Sequence, residues 1–268
     1  MNDYKVSVKK KSIQPKLRFA IFIGGDAPNF LQTKKFFQKN KFDIVIVADS
    51  GIDTLQKISR ELQKEISVDV ILGDFDSIQN KKCIKKFPIA KIKTFPKDKD
   101  FTDTELAIVE AFKISKEKKC KAHITIFGGS GGERIDHTLL VYDSFSEKKH
   151  ADRWLSKTQS IYFFPKNTIA KIASIYKNDI ISIARLTKSR SRGKIFSREL
   201  KWNNFRLHGM PSISNRVDEK IFAKKKCVEI FAREENFLLI VPLDAVVEFR
   251  QKDNLPNLQK KSQALRTK

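Results

Sequence analysis

From Arg18 onward, short wholly apolar runs alternate with segments whose apolar residues recur at helical spacing. "RFAIFIGG" reads as a strand. "NFLQTKKFFQKN" follows with Phe30, Leu31, Phe36 and Phe37 at helix-like intervals. "DIVIVADS" is a second strand, and "IDTLQKISREL" sets Ile52, Leu55, Ile58 and Leu62 on one helical face. "VDVILGDFDS", the shorter "AKIKTFP" and "AHITIFGG" are further strands; "TDTELAIVEAFKISKE" and "RIDHTLLVYDSF" are further helices. Strands that are apolar throughout must be buried on both faces. The alternation therefore predicts an α/β fold, a mainly parallel Rossmann-like sheet flanked by helices. In such a sheet ligands bind beyond the carboxyl ends of the strands, where Asp49, Asp74 and the glycines at 128–132 fall.

After about residue 155 the pattern changes. "SIYFFP", "TIAKIASIY", "DIISIARL", "KIFSRELKW", "KKCVEIFARE" and "NFLLIVPL" are short β-prone runs between turn residues. They predict a smaller all-β domain, a sandwich or barrel. The expected division is an α/β domain at 16–152, then a β domain at 153–250. Lysine-rich tails at 1–15 and 251–268 are expected to fray.

Charge narrows the partners. Lysine and arginine exceed the acids so far that the net charge is +23, which favours polyanionic ligands. The basic residues are spread along the chain as a solvated surface would have them. "KSRSRGK" at 188–194 lacks the interleaved aromatics on which bases stack, so nucleic acid is not the expected partner. Cys83, Cys120 and Cys227 are odd in number and lack metal-type spacing, as in a reduced compartment. The apolar runs are too short to span a bilayer and no leader pattern opens the chain; the expectation is a cytoplasmic protein without membrane contact.

Three segments carry chemistry. In "GDFDS", Asp74 and Asp76 stand at i and i+2 at the end of a strand. Such hard oxygen pairs suit Mg²⁺, although an Asp or Ser77 capping the next helix would read the same way. In "FPKDKDFTDTELA", Asp98, Asp100 and Asp103 crowd a helix start whose capping box, Thr102 with Glu105, needs none of them. Their repulsion calls for a cation or for Lys97 and Lys99, which favours a metal–phosphate role. In "FGGSGGERIDH", glycines between strand and helix let backbone N–H groups approach phosphate, and Arg134 offers a bidentate contact. No Walker A lysine follows. A plain glycine turn, and for His137 an ordinary helix-surface position, are the alternatives.

Taken in order, "VADSG", "LGDFDS", "DKDFTDTELA" and "GGSGGERIDHT", followed by "LKWN" and "SISN", resemble the thiamine pyrophosphokinase (thiamine diphosphokinase) family from about residue 18 to about 245. The resemblance implies transfer of the diphosphoryl group of ATP to the hydroxyl of thiamine, giving thiamine diphosphate and AMP. It implies Mg²⁺, ATP as co-substrate, and a homodimer with thiamine in a cleft between subunits. By motif match, Asp74, Asp76 and Asp103 would hold the metal, and Asp74, Asp100, Asp103 and Arg134 would be catalytic. Asp49, Ser77, Thr102, Gly131, Gly132, Asp136 and His137 would line the nucleotide region. Trp202, Ser212, Ser214 and Asn215 would bind thiamine; an indole face suits a cationic ring, although Trp202 could equally be a core aromatic. Ser50, Glu133 and Glu199 depart from the family's usual glycine-rich pattern. The alternatives are another Mg²⁺-dependent phospho- or nucleotidyltransferase, a non-catalytic nucleic-acid binder, and an inactive thiamine-binding homologue.

Overall fold

The computed structural model describes residues 14–75, 81–131, 134–189, 193–202 and 211–251. The expected alternation is present in its first half. It runs β1 (Lys16–Phe22), α1 (Phe30–Lys39), β2 (Ile44–Ala48), α2 (Gly51–Leu62), β3 (Val70–Gly73), β4 (Lys91–Thr94), α3 (Asp103–Glu117), β5 (Lys121–Phe127), α4 (Ile135–Ser144) and β6 (Arg153–Leu155). These six strands lie in the order β6-β5-β1-β2-β3-β4, and every neighbouring pair is parallel. One face carries α3 and α4 through Ala107, Ile108, Ala111, Val141 and Phe145. The other carries α2 through Ile52, Leu55 and Ile58, beside the stacked pair Phe22–Phe127 at 4.9 Å. Fully burying each such side chain contributes about 1.5–3 kcal/mol, which explains why the strands are apolar on both sides. Leu31, one of the apolar residues at helical spacing in α1, is 79% exposed.

The second half comprises β7 (Gln159–Phe164), β8 (Thr168–Ala173), β9 (Ile181–Arg185), β10 (Lys194–Ser197), β11 (Ser212–Asn215), α5 (Glu219–Lys225), β12 (Val228–Arg233), β13 (Phe237–Pro242) and β14 (Val246–Gln251). Here the strand direction changes but the ladder does not stop. β6 pairs antiparallel with β7, Trp154 opposite Ile161, and the sheet continues through β13 and β9 to β11, ten strands in all. A second, four-stranded antiparallel sheet, β10-β12-β8-β14, packs against that extension. Phe164, Ile183, Phe237 and Leu239 from the long sheet meet Ala170, Ile172, Val228 and Ile230 from the short one. The β half is therefore a sandwich with one layer continuous with the parallel sheet. Among the described residues, no helix is long and apolar enough to cross a membrane.

Close backbone approach builds the rim at the carboxyl ends of β1–β3. A Cβ on Gly51 would lie 2.1 Å from the Phe22 carbonyl oxygen, so only glycine lets α2 start against β1. Gly73 has φ +145°, and a Cβ there would come within 3.2 Å of the Asp49 backbone. That approach brings the ends of β2 and β3 together.

Candidate active site

Asp49 follows β2, Asp74 follows β3, and Asp103 opens α3. One carboxylate oxygen from each lies within 4.8 Å of the other two. Asp49 sits in the left-handed region at φ 44°, which re-aims its side chain at the strand end; its amide donates to the Leu72 carbonyl at 2.8 Å. It is 8% exposed, and its Oδ1 is buried with no hydrogen-bond partner. A buried, unsatisfied carboxylate oxygen is costly unless something positive meets it. Three hard oxygens of this kind fit Mg²⁺, and Asp49, Asp74 and Asp103 are the residues that would hold it. Asp76, expected in this group, and Ser77 lie outside the described residues, as do Gly132 and Glu133.

A lysine reaches into the group. Lys99 Nζ lies 3.0 Å from Asp103 Oδ1 and 3.6 Å from Asp74 Oδ2, and all three side chains are largely buried. Burial pushes the Asp103 carboxyl above the usual range; Lys99 opposes this, while Asp49 and Asp74 add to it. Asp53, one turn into α2, is likewise raised by burial and by the Asp49 charge. Among the described residues, the three grouped carboxylates share the Lys99 ammonium.

The other expected nucleotide residues divide. Thr102 closes its capping box: its Oγ accepts from the Glu105 amide at 3.3 Å, and Glu105 Oε2 accepts from the Thr102 amide at 2.9 Å. Asp100 is exposed and stands outside the carboxylate group. In the glycine loop, the Gly128 and Gly129 N–H groups donate to the Leu155 and Gly24 carbonyls. Those two donors tie strand ends together and are not available to phosphate. Gly131, at φ +74°, has no room for a Cβ, which would fall 2.2 Å from Asp26 Oδ2. Arg134 is exposed and grips Asp136 bidentately, Nε to Oδ1 at 2.9 Å and Nη2 to Oδ2 at 2.6 Å. The Arg134 hydrogen bond lowers the Asp136 carboxyl to about 2. His137 is exposed beside this pair.

The expected thiamine residues form a separate group around β11. Trp202 is 49% exposed, with Lys201 Nζ 5.4 Å above its ring. Asn215 is 1% exposed, and its amide bonds to Trp202 backbone atoms and to Ser212 Oγ, so it shapes the group from behind. Ser214 is exposed at φ 53°, with its amide on Ser182 Oγ. β11 and β2 are seven strand positions apart in the long sheet. At about 4.8 Å per strand this is roughly 30 Å along the sheet.

Residues that the sequence reading left out of the site are Lys99, Asp53, Asp26 and Lys157. Asp26 pairs with Ser130 as an isolated bridge, and Lys157 Nζ donates to its Oδ2 at 2.9 Å. The signal for Asp26 was present: an acid directly after the glycines that end β1, as in "LGD". Two of the departures have clear fits. Ser50 has φ −61°, so no glycine is needed there. Glu199 is 3% exposed, with its Oε2 accepting from the Glu229 amide at 3.3 Å.

Three carboxylates and a lysine thus gather beyond the strand ends of a parallel sheet, where α/β folds place their ligands. Residues 36–153 match the family model for the thiamin pyrophosphokinase catalytic domain. Over those residues the chain is similar to the catalytic domain of the thiamin pyrophosphokinase family. Solved structures share its fold. A thiamin pyrophosphokinase from Candida albicans has a TM-score of 0.60 at 15% identity, with 85% of this chain and 93% of that one covered. A Bacillus subtilis thiamine pyrophosphokinase gives 0.59 at 20%, covering 84% and 98%. A thiamin pyrophosphokinase family protein from Enterococcus faecalis gives 0.59 at 19%, also covering 84% and 98%. No curated protein sequence matches the chain significantly.

Proposed function

We propose that this protein is a thiamine diphosphokinase that moves the β,γ-diphosphoryl unit of ATP onto the thiamine hydroxyl, releasing AMP. The observation that carries the reading is the convergence of Asp49, Asp74 and Asp103 around a buried oxygen with no partner of its own. Bound there, Mg²⁺ would supply charge neutralisation for the polyphosphate. The hydroxyl oxygen bonds to the β-phosphorus as the bond from that phosphorus to the α,β-bridging oxygen breaks, and AMP leaves with the bridging oxygen. On this reading Asp103 is occupied as one of the three groups that would hold the metal. We therefore assign the hydroxyl proton to exposed Asp100. Arg134 meets the phosphates by exchanging Asp136 for them, two acceptors of the same bidentate geometry.

Trp202, with Ser212 and Ser214, is the thiamine side. Lys201 already stands over the indole face, a seat that suits a cationic ring. The separation of β11 from β2 along the sheet supports a site shared by two subunits, with the acids from one and Trp202 from the other. On this reading the catalytic unit is 16–152 and the thiamine-binding unit 153–250. The test is purified protein with ATP, Mg²⁺ and thiamine, followed by chromatography. AMP together with thiamine diphosphate is expected; ADP or pyrophosphate as the nucleotide-derived product would overturn the reading.

A further inference from the structure

Lys99 lies on the segment between β4 and α3, four residues before Asp103. Its ammonium is 3.0 Å from Asp103 Oδ1 and 3.6 Å from Asp74 Oδ2, with only 14% of its side chain exposed. The third acid, Asp49, has an oxygen within 4.8 Å of both and leaves Oδ1 unpartnered. Among the described residues, three carboxylates thus gather around the Lys99 ammonium, with little of these side chains exposed. An ammonium and a divalent cation would draw on the same oxygens, and two positive centres in one carboxylate set repel each other strongly at low dielectric.

We propose that Lys99 is a displaceable internal counter-ion. It neutralises Asp74 and Asp103 while the site is free of metal, gives them up when a divalent cation enters, and then turns its ammonium to the phosphates of the nucleotide. The inference rests on the reading of these carboxylates as a cation site. Lysine suits the task better than arginine would. Its charge is a compact point on a flexible four-carbon stem, so it can exchange partners without matching a fixed planar geometry. Lys99 is thereby a positioning residue, and it couples metal loading to nucleotide binding. Without it, bare metal would bind more tightly, and the metal-loaded site would hold nucleotide less well.

The experiment titrates Mn²⁺, standing in for Mg²⁺, into the full-length protein and into Lys99→Met and Lys99→Gln, with no nucleotide or thiamine present. Free Mn²⁺ is read by electron paramagnetic resonance. Both variants should bind Mn²⁺ about tenfold or more tightly than the parent. Their affinity for a non-hydrolysable ATP analogue, measured at saturating Mn²⁺, should fall by a similar factor. Circular dichroism checks that each variant is folded, and the polar glutamine covers a failure of the methionine variant to fold. Equal or weaker Mn²⁺ binding in folded variants would overturn the proposal, as would tighter Mn²⁺ binding with unchanged analogue affinity. The product assay on the parent is separate. A parent that makes no AMP but shows the Mn²⁺ difference would sink the catalytic reading and leave the counter-ion role standing.

Discussion

Asn215 and Trp202 hold each other through a reciprocal pair of bonds. The Trp202 amide donates to Asn215 Oδ1 at 3.2 Å, and Asn215 Nδ2 donates to the Trp202 carbonyl at 2.8 Å. Asn215 also feeds Ser212 Oγ at 2.9 Å, and its Oδ1 accepts from the Arg216 amide at 2.9 Å. A single buried amide thus fixes the segment that presents the indole. Asn215→Ala should cost about 2–3 kcal/mol in urea unfolding, because several buried groups lose their partner together. In the same variant KM for thiamine should rise while KM for ATP is unchanged. A loss of ATP affinity instead would show that Asn215 serves the other half of the site.

The acid group is expected to trade stability for function. The Asp103 carboxyl is raised by burial, with Asp49 and Asp74 adding to the effect. A carboxyl that holds its proton more tightly in the fold than in the unfolded chain contributes its stability at low pH and loses it as pH rises through the folded value. Asp103→Asn should therefore melt at a higher temperature than the parent in metal-free buffer at pH 7. Its advantage should shrink as pH falls toward about 4, the ordinary carboxylate range. Turnover should drop by about a hundredfold or more, the scale of removing one principal electrostatic group. A variant less heat-stable than the parent at pH 7 would contradict the raised carboxyl.

Asp152 has the opposite sign. Burial raises its carboxyl, but His123, 3.2 Å away, and the Ile124 amide at 2.8 Å outweigh this and leave it below the usual range. Its stabilising effect is present above the ordinary carboxylate value and is lost as pH falls through the lowered one. Asp152→Asn should unfold at lower urea than the parent at pH 7, and the two curves should converge under acid conditions. Curves that stay equally separated down to pH 2 would rule out this linkage.

Much of the catalytic half was legible in the sequence because its strands are buried on both faces, which leaves uninterrupted apolar runs, and because Thr102 and Glu105 announce α3. The β half was less legible where packing overrode local pattern. β14 was not among the β-prone runs read from the sequence; pairing with β8 makes it a strand. α5, with its Asp218 cap, is only seven residues long and too short for periodicity to register. The continuity of the long sheet through Trp154 and Ile161 could not be read at all, since a strand's partner is a non-local choice. In the site, Asp74 and Asp103 were found from their position at element ends. Lys99 was noted only as a possible counter-charge, because sequence does not say which of two lysines turns inward.

The separation of Trp202 from the carboxylates makes the strongest demand on quaternary structure. If one chain cannot bring both groups to a single thiamine molecule, each active site in a two-fold dimer takes its acids from one subunit and its indole from the other. Asp74→Asn and Trp202→Ala would each abolish most activity as homodimers. Mixing the two under conditions that exchange subunits should restore activity. In the heterodimer one site carries both defects and the other carries neither. With random exchange half of the dimers are mixed, each with one intact site of two, so recovery should approach about one quarter of the parent's activity. If both groups came from the same chain, every site in every mixed dimer would keep one defect and no activity would return. The measurement is AMP release before and after subunit exchange, with native mass spectrometry of distinguishably tagged chains to count the mixed dimers.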